Sequence, residues 1–262
     1  MQLTLCPMLD VSTEERIATI TLNQPEKRNA LGPKMVAELK KEIQALLDRE
    51  DVKIILLAAE GPAFCSGADL EYLSQIRSFS DEENLQDSQN LRELFDLIYN
   101  SNKLIVSKVN GPALAGGCGL ATICDYCIAS TGAKFGYTES RIGFLPALVM
   151  VYLRQRIQGS ALRDLLLSAR IIEATEAKDL GLIDFVVPDD ELDSFTNDFL
   201  KGLLTSVSGS SIALIKEMLR TLPGMDMEDA LDYAAKMNVK ARRTEDCMRG
   251  IDSFLNKQKI QW

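Results

Sequence analysis

Two glycine-bearing segments and one carboxylate are the residues of this chain whose types and spacing could do chemistry. The segments run from Cys65 to Leu70 and from Asn110 to Leu120, and Glu139 follows Gly119 by twenty residues. Glycine has no Cβ, so a backbone N–H in such a segment can approach an oxygen closely. Fixed N–H donors stabilise the enolate oxygen that forms when a proton is removed next to a carbonyl. The pattern therefore predicts an oxyanion hole with a carboxylate base beside it.

Each of these features, taken singly, also has a simpler structural interpretation. Glycine segments are typical of ordinary turns, and a lone glutamate is usually a solvated surface residue. The basic segment Lys27 to Leu31 is equally typical of a solvated turn before a helix. The order and spacing of the segments favour a catalytic site over these simpler interpretations.

Composition excludes several classes of function. The chain has no histidine, which removes Ser-His-Asp and Cys-His catalysis and histidine-bearing zinc sites. A net charge of −9 is unsuited to nucleic acid, whose phosphates require clustered Lys and Arg. Proton transfer near neutral pH is therefore expected from a carboxylate, or from a Lys, Tyr or Cys with a shifted pKa.

Length and patterning predict a globular protein of the cytoplasm. The chain has 262 residues, of which 46% are hydrophobic, enough for a sizeable core. Its longest uncharged run, residues 109–124, is too short and too polar for a membrane span. The first ten residues contain no Lys or Arg, which argues against a signal or transit peptide. The six cysteines, from Cys6 to Cys247, are expected to be reduced.

Hydrophobic periodicity predicts the elements that must position these residues. Strands are predicted over 16–22, 52–58 and 104–109, and helices over 34–49 and from about 116 to 125. The polar segment 78–88 is interpreted as a mobile surface stretch. From residue 191 onward the pattern is almost wholly helical, which predicts an α/β core followed by an α-helical C-terminal region.

The two glycine segments, read together with residues 18–31, resemble the crotonase family of enoyl-CoA hydratases and isomerases. The resemblance runs from about residue 10 to the C-terminus. It implies an α/β fold built as a spiral of β-β-α units with an α-helical C-terminal trimerisation region. The implied division is an active-site core over 1–195 and an oligomerisation region over 196–262.

The same resemblance implies roles for individual residues. The amides of Ala68 and Gly116 would hold the thioester oxygen, and Glu139 would be the catalytic acid and base. The residues implied to lie along coenzyme A are Arg28, Ala30, Ala68, Asp69 and Leu70. Coenzyme A is then part of the substrate, and neither a separate cofactor nor a metal is expected.

The reaction is left open by one departure from the family pattern. Hydratases of this family carry a glutamate at the position of Gly119, so that Glu139 here is alone. The run 138–147 resembles a bacterial branch associated with methylglutaconyl-CoA, which favours hydration of a short or branched enoyl-CoA. Isomerisation with one glutamate is the close alternative, decarboxylation of a glutaconyl-type thioester stands third, and a non-catalytic binding protein is less favoured.

The missing glutamate at Gly119 is expected to leave space and one fewer negative charge for a branched or acidic acyl group. The expected partners are an acyl-CoA substrate and further copies of the chain, in a homotrimer or homohexamer, with neither nucleic acid nor a membrane.

Overall fold

The computed structural model describes residues 7–262, which form two sheets surrounded by helices. The strands are β1 (Leu9–Glu14), β2 (Ile17–Leu22), β3 (Ile54–Ala59), β4 (Leu104–Val109), β5 (Ala113–Leu114), β6 (Tyr126–Ser130), β7 (Lys134–Gly136), β8 (Ile172–Glu173) and β9 (Phe185–Val187). The helices are α1 (Pro33–Leu47), α2 (Leu70–Ile76), α3 (Asp81–Tyr99), α4 (Gly116–Thr122), α5 (Ala147–Arg156), α6 (Gly159–Ser168), α7 (Ala174–Asp179), α8 (Leu192–Ser206), α9 (Gly209–Thr221), α10 (Met227–Arg242) and α11 (Glu245–Leu255). The predicted α/β core with a helical C-terminal region is confirmed.

The larger sheet has six strands in the order β1-β2-β3-β4-β6-β9. Strands β1 and β2 form an antiparallel hairpin, and the other pairs in this sheet are parallel. Strand β3 is buried along its whole length because both faces of the sheet are covered. Ile55 and Leu57 pack in a core with α1 and α3, whereas Ile54 and Leu56 pack against α8.

The smaller sheet, in the order β5-β7-β8, carries the second glycine segment. Strand β5 lies just before α4 and pairs in parallel with β7. Glu139 follows β7 after two residues. The pairing of β5 with β7 therefore brings Glu139 to the same side of the molecule as the start of α4.

The segment 78–88, interpreted as a mobile surface stretch, is mostly exposed, and most of it is the first half of α3. The Ser80 hydroxyl accepts from the Glu83 amide at 3.3 Å, and the Ser80 amide donates to the Glu83 carboxylate at 2.7 Å. This reciprocal capping box satisfies two helix-end donors and starts the helix. Farther along, Phe95 and Ile98 are buried against the core, which stabilises a helix whose first turns are polar.

The C-terminal helices are continuous in packing with the sheet. Residue 195, where the predicted core ends, lies inside α8, and Leu200 and Leu204 of that helix are buried against the sheet. The division into 1–195 and 196–262 stays a prediction. No helix within residues 7–262 is long and apolar enough to cross a membrane.

The described cysteines behave as small apolar side chains. Cys65, Cys118, Cys124 and Cys127 are buried and unpaired, and Cys247 is half-buried and unpaired. Burial raises the pKa of the Cys65 thiol to about 12, which keeps it protonated. Cys6 lies outside the described residues.

Helices α9 to α11 expose a set of large apolar side chains. Phe254 is 83% exposed, and the others are Ile215, Leu219, Leu231, Met248, Ile251 and Leu255. Large apolar side chains exposed in this number are typical of a region that another protein chain covers. Met237 of α10, by contrast, is buried within the chain.

We expect the protein to sediment as a trimer or a hexamer, because association would bury this apolar surface. The double substitution Ile251→Lys and Phe254→Lys should shift the population to the monomer mass of 29.0 kDa. Analytical ultracentrifugation at micromolar concentration measures the change. Asp252→Lys on the same helix is the control and should leave the assembly intact; a monomeric wild-type protein would contradict the expectation.

Candidate active site

The two glycine segments lie directly against each other. Cys65 forms a parallel bridge with Ala113, and the Leu114 amide donates to the Cys65 carbonyl at 2.9 Å. The same stretch of chain is held from the other side, since the Leu31 amide donates to the Gly67 carbonyl at 2.7 Å. Backbone hydrogen bonds therefore fix the positions of Ala68 and Gly116 relative to each other.

Two glycines make this contact possible. A Cβ at position 117 would lie 2.2 Å from the Cys65 carbonyl oxygen, so no other residue fits without moving one of the segments. Gly67 has a φ of +90°, and a Cβ there would lie 2.8 Å from the Ala115 Cβ. Both positions require glycine, for close approach at 117 and for approach and backbone angle at 67.

The amides of Ala68 and Gly116 are free to bind a ligand. Gly116 is the first residue of α4, where a helical N–H has no partner within the helix. Within residues 7–262, neither amide donates a hydrogen bond to a protein acceptor. Ala115, which precedes the helix, has φ 50° and ψ −126°, a costly conformation that turns the chain into this position.

Glu139 begins a short 3-10 turn, Glu139–Ile142, after β7. Its Oε2 atom is buried and has no hydrogen-bond partner within residues 7–262. Burial raises the pKa of this carboxyl above the ordinary value of 4.5, because the charged form loses solvation. A carboxylate with one unpartnered oxygen and a raised pKa is suited to accept and return a proton.

Ala68, Gly116 and Glu139 line one cavity of about 330 Å³. Its apolar lining comes mainly from α1, α5 and the segment before α5: Leu31, Pro33, Val36, Phe144, Leu145, Leu148 and Val149. Its polar lining comes largely from α2 and α3: Tyr72, Asp87, Ser88 and Asn90. The structure therefore brings the two predicted amides and the predicted base to one small, mostly apolar cavity, as expected of a ligand site.

The space expected beside Gly119 is not there. A Cβ at position 119 would lie 2.2 Å from Cγ1 of Val149 and 3.2 Å from a ring carbon of Phe95. Both neighbours are buried, and both are held by packing of α5 and α3. The prediction that the missing glutamate leaves room for an acyl group was wrong, because Val149 occupies that room.

The residues predicted to contact coenzyme A have mixed environments. Arg28 is exposed and its side chain makes no ion pair within residues 7–262, while Ala30 is buried. Asp69 caps α2 by accepting from the amides of Glu71 at 2.8 Å and Tyr72 at 3.1 Å. Leu70 starts α2. Contact of these residues with coenzyme A stays a prediction.

Sequence reasoning missed Asn29, which organises the first loop. Its side-chain amide donates to the carbonyls of Glu60 and Ala63, each at 2.9 Å, and accepts from the Gln24 amide at 2.8 Å. It is fully buried and has φ 54°. A buried asparagine in this left-handed conformation is a local anchor, and asparagine tolerates it better than most residues.

Two free amides and a carboxylate thus share one cavity, and comparison with known proteins identifies the family. The model of the family described as enoyl-CoA hydratase/isomerase matches residues 12–262. The chain belongs to this family. The resemblance to crotonases seen in the motifs is thereby confirmed.

Individual relatives agree with this assignment. A putative enoyl-CoA hydratase of Thermus thermophilus is 41% identical over 92% of this chain and 95% of its own length. A crotonyl-CoA hydratase of Syntrophomonas wolfei is 30% identical over 95% of both chains. The crystal structure of an enoyl-CoA hydratase from Shewanella pealeana superposes with a TM-score of 0.93 at 28% identity, covering 98% of this chain and 96% of that one.

We expect Gly119→Glu to lower the free energy of unfolding by at least about 2 kcal/mol, because the side chain overpacks Val149 and buries a carboxylate. Adding Val149→Ala should recover part of the loss, since it removes the atom nearest to the new Cβ. Urea denaturation measures both effects. Gly202→Glu is the control, because that helical glycine has no atom within 4 Å of an added Cβ; equal stability of Gly119→Glu and wild type would contradict the packing argument.

Proposed function

We propose that the protein is an enoyl-CoA hydratase that uses Glu139 as its single acid and base on a short or branched acyl group. The observation that carries the proposal is the buried, unpartnered Oε2 of Glu139 in the cavity that the amides of Ala68 and Gly116 also line. The names of the relatives support hydration as the reaction.

One carboxylate is sufficient for this reaction. The thioester oxygen accepts from the amides of Ala68 and Gly116, which stabilise the negative charge that develops on it. Glu139 takes a proton from water while the water oxygen bonds to C3, and the electron pair of the double bond moves towards the thioester oxygen. The protonated Glu139 then returns the proton to C2, so that one water is added and the carboxylate is restored.

Isomerisation of a 3-enoyl-CoA is the second candidate, and Val149 favours it. The Val149 side chain occupies the space that a glutamate side chain at position 119 would enter, and it forms the wall of the site there. That wall has no group to orient a water molecule, whereas moving one proton between two carbons needs only Glu139. The oxyanion amides would serve the same enolate in both reactions.

The methylglutaconyl-CoA substrate, expected from the run 138–147, stays a prediction. Decarboxylation of a glutaconyl-type thioester needs the oxyanion amides but hardly needs a base such as Glu139. It is therefore less favoured by a site in which a buried carboxylate with a raised pKa lines the same cavity as the amides.

Glu139→Gln should lower turnover by about 10²- to 10⁴-fold, because the amide cannot accept a proton. Loss of the conjugated thioester absorbance of crotonyl-CoA measures hydration, and gain of that absorbance from 3-hexenoyl-CoA measures isomerisation. The binding constant of butyryl-CoA should stay within about threefold of wild type, since glutamate and glutamine have nearly the same shape.

Glu82→Gln is the matched control, because Glu82 is exposed on α3 and lies outside the cavity. It should leave both rates unchanged. The ratio of the two wild-type rates decides between hydratase and isomerase. Near-normal turnover of Glu139→Gln would assign the proton transfer to another residue and overturn the proposal.

The pH dependence follows from the raised pKa of Glu139. Its ionised form must act first, so kcat/KM for crotonyl-CoA should fall as pH decreases through that pKa, with a midpoint above 4.5. Because the folded-state pKa is raised, the folded protein binds more protons than the unfolded chain, and ionisation of Glu139 costs stability as pH rises through it. Glu139→Gln should remove this cost and be at least as stable as wild type above neutral pH, measured by urea denaturation. A midpoint at or below 4.5 would contradict the argument.

A further inference from the structure

A hydrogen-bonded polar pair forms part of the cavity wall built by α2 and α3. The Tyr72 hydroxyl donates to the Asp87 carboxylate at 2.6 Å, and both residues line the cavity that contains Glu139. Burial is the main cause that raises the pKa of Tyr72, so its hydroxyl keeps its proton and remains the donor. The carboxylate of Asp87 is thereby held at the cavity wall.

The two helices that carry the pair are anchored independently. Asp69 caps the start of α2, one turn before Tyr72. The capping box of Ser80 and Glu83 starts α3, and its later turns pack on α1 and the core. Asp87 is therefore presented to the cavity by rigid elements, which favours a role in recognising a bound group.

The charges around this cavity are of one sign. Asp87 and Glu139 are its charged lining residues, and no Lys or Arg within residues 7–262 lines it. Lys40 does not line the cavity but donates to Oδ1 of Asn90, which does. Its charge is already paired with the Glu93 carboxylate at 2.8 Å.

We propose that Asp87, held by Tyr72, restricts the substrate to acyl groups without a negative charge. Given the proposed function, the thioester oxygen binds at Ala68 and Gly116, and the acyl group extends along the cavity lined by α2, α3 and α5. A terminal carboxylate there would lose solvation and meet Asp87 and Glu139, while no Lys or Arg of residues 7–262 lines the cavity to compensate its charge. Repulsion of a wrong substrate is a direct source of specificity.

The substrate class that follows is a neutral short or branched enoyl thioester. Dicarboxylic acyl groups of the methylglutaconyl or glutaconyl type are disfavoured, although the run 138–147 had suggested them. The larger part of the lining is apolar, which matches a hydrocarbon acyl group.

The test compares two saturated thioesters of nearly equal shape, glutaryl-CoA and 5-methylhexanoyl-CoA, in which a carboxylate replaces an isopropyl group. Isothermal titration of the full-length protein gives both dissociation constants. We expect the wild type to bind 5-methylhexanoyl-CoA at least about thirtyfold more tightly. Asp87→Asn should reduce this preference about tenfold, mainly by improving glutaryl-CoA binding.

Two further variants test the role of the Asp87 charge. Tyr72→Phe keeps the charge of Asp87 and should retain most of the preference, while Glu82→Gln removes one charge from α3 outside the cavity and should change nothing. Retained binding of 5-methylhexanoyl-CoA shows that Asp87→Asn is folded. If that variant binds neither ligand, the ratio of the two wild-type dissociation constants alone tests the proposal.

Equal affinity of the wild type for the two thioesters, or an unchanged preference in a folded Asp87→Asn, would overturn the proposal. Neither ligand has a double bond to hydrate or isomerise. A protein that shows the preference without turnover therefore contradicts only the proposed function, and one that hydrates crotonyl-CoA without the preference contradicts only this inference.

Discussion

The close contact between the two glycine segments is the constraint on which the rest of the site depends. At position 117 the backbone approaches the Cys65 carbonyl so closely that a single added carbon would lie 2.2 Å from its oxygen. This contact places the Ala68 amide beside the start of α4, and the pairing of β5 with β7 adds Glu139. Two amides and one carboxylate, far apart along the chain, thus share a cavity because main-chain hydrogen bonds hold the segments that carry them.

The environment of Gly119 shows how packing defines the chemistry of the site. In this chain the absence of a second glutamate does not create a void, because Val149 and Phe95 fill the space. Dense packing is the usual state of protein interiors. Beside Gly119 the site therefore has an apolar wall, and the proposed mechanism relies on Glu139 alone both to accept and to return the proton.

Helix α3 carries Asp87, the residue proposed to select the substrate. Its first turns are acidic and polar, but the capping box and the buried Phe95 and Ile98 make it a regular helix. The result is that Asp87 reaches the cavity with its carboxylate held by Tyr72. The segment 78–88, interpreted from its composition as surface, therefore contributes two polar residues of the cavity wall, Asp87 and Ser88.

Much of this protein was determined by the sequence itself. The α/β core with a helical C-terminal region and the strands over 16–22, 52–58 and 104–109 follow from local periodicity, and a common site for Ala68, Gly116 and Glu139 was implied by the resemblance of their motifs to the crotonase family. Only the tertiary structure decided that Val149 fills the space beside Gly119, that Asn29 is a buried anchor, and that Asp87 faces the cavity. The physical reason is that local pattern reflects backbone preference and amphipathicity, whereas the occupant of a space and the charges around it depend on residues far apart in the chain, which only packing brings together.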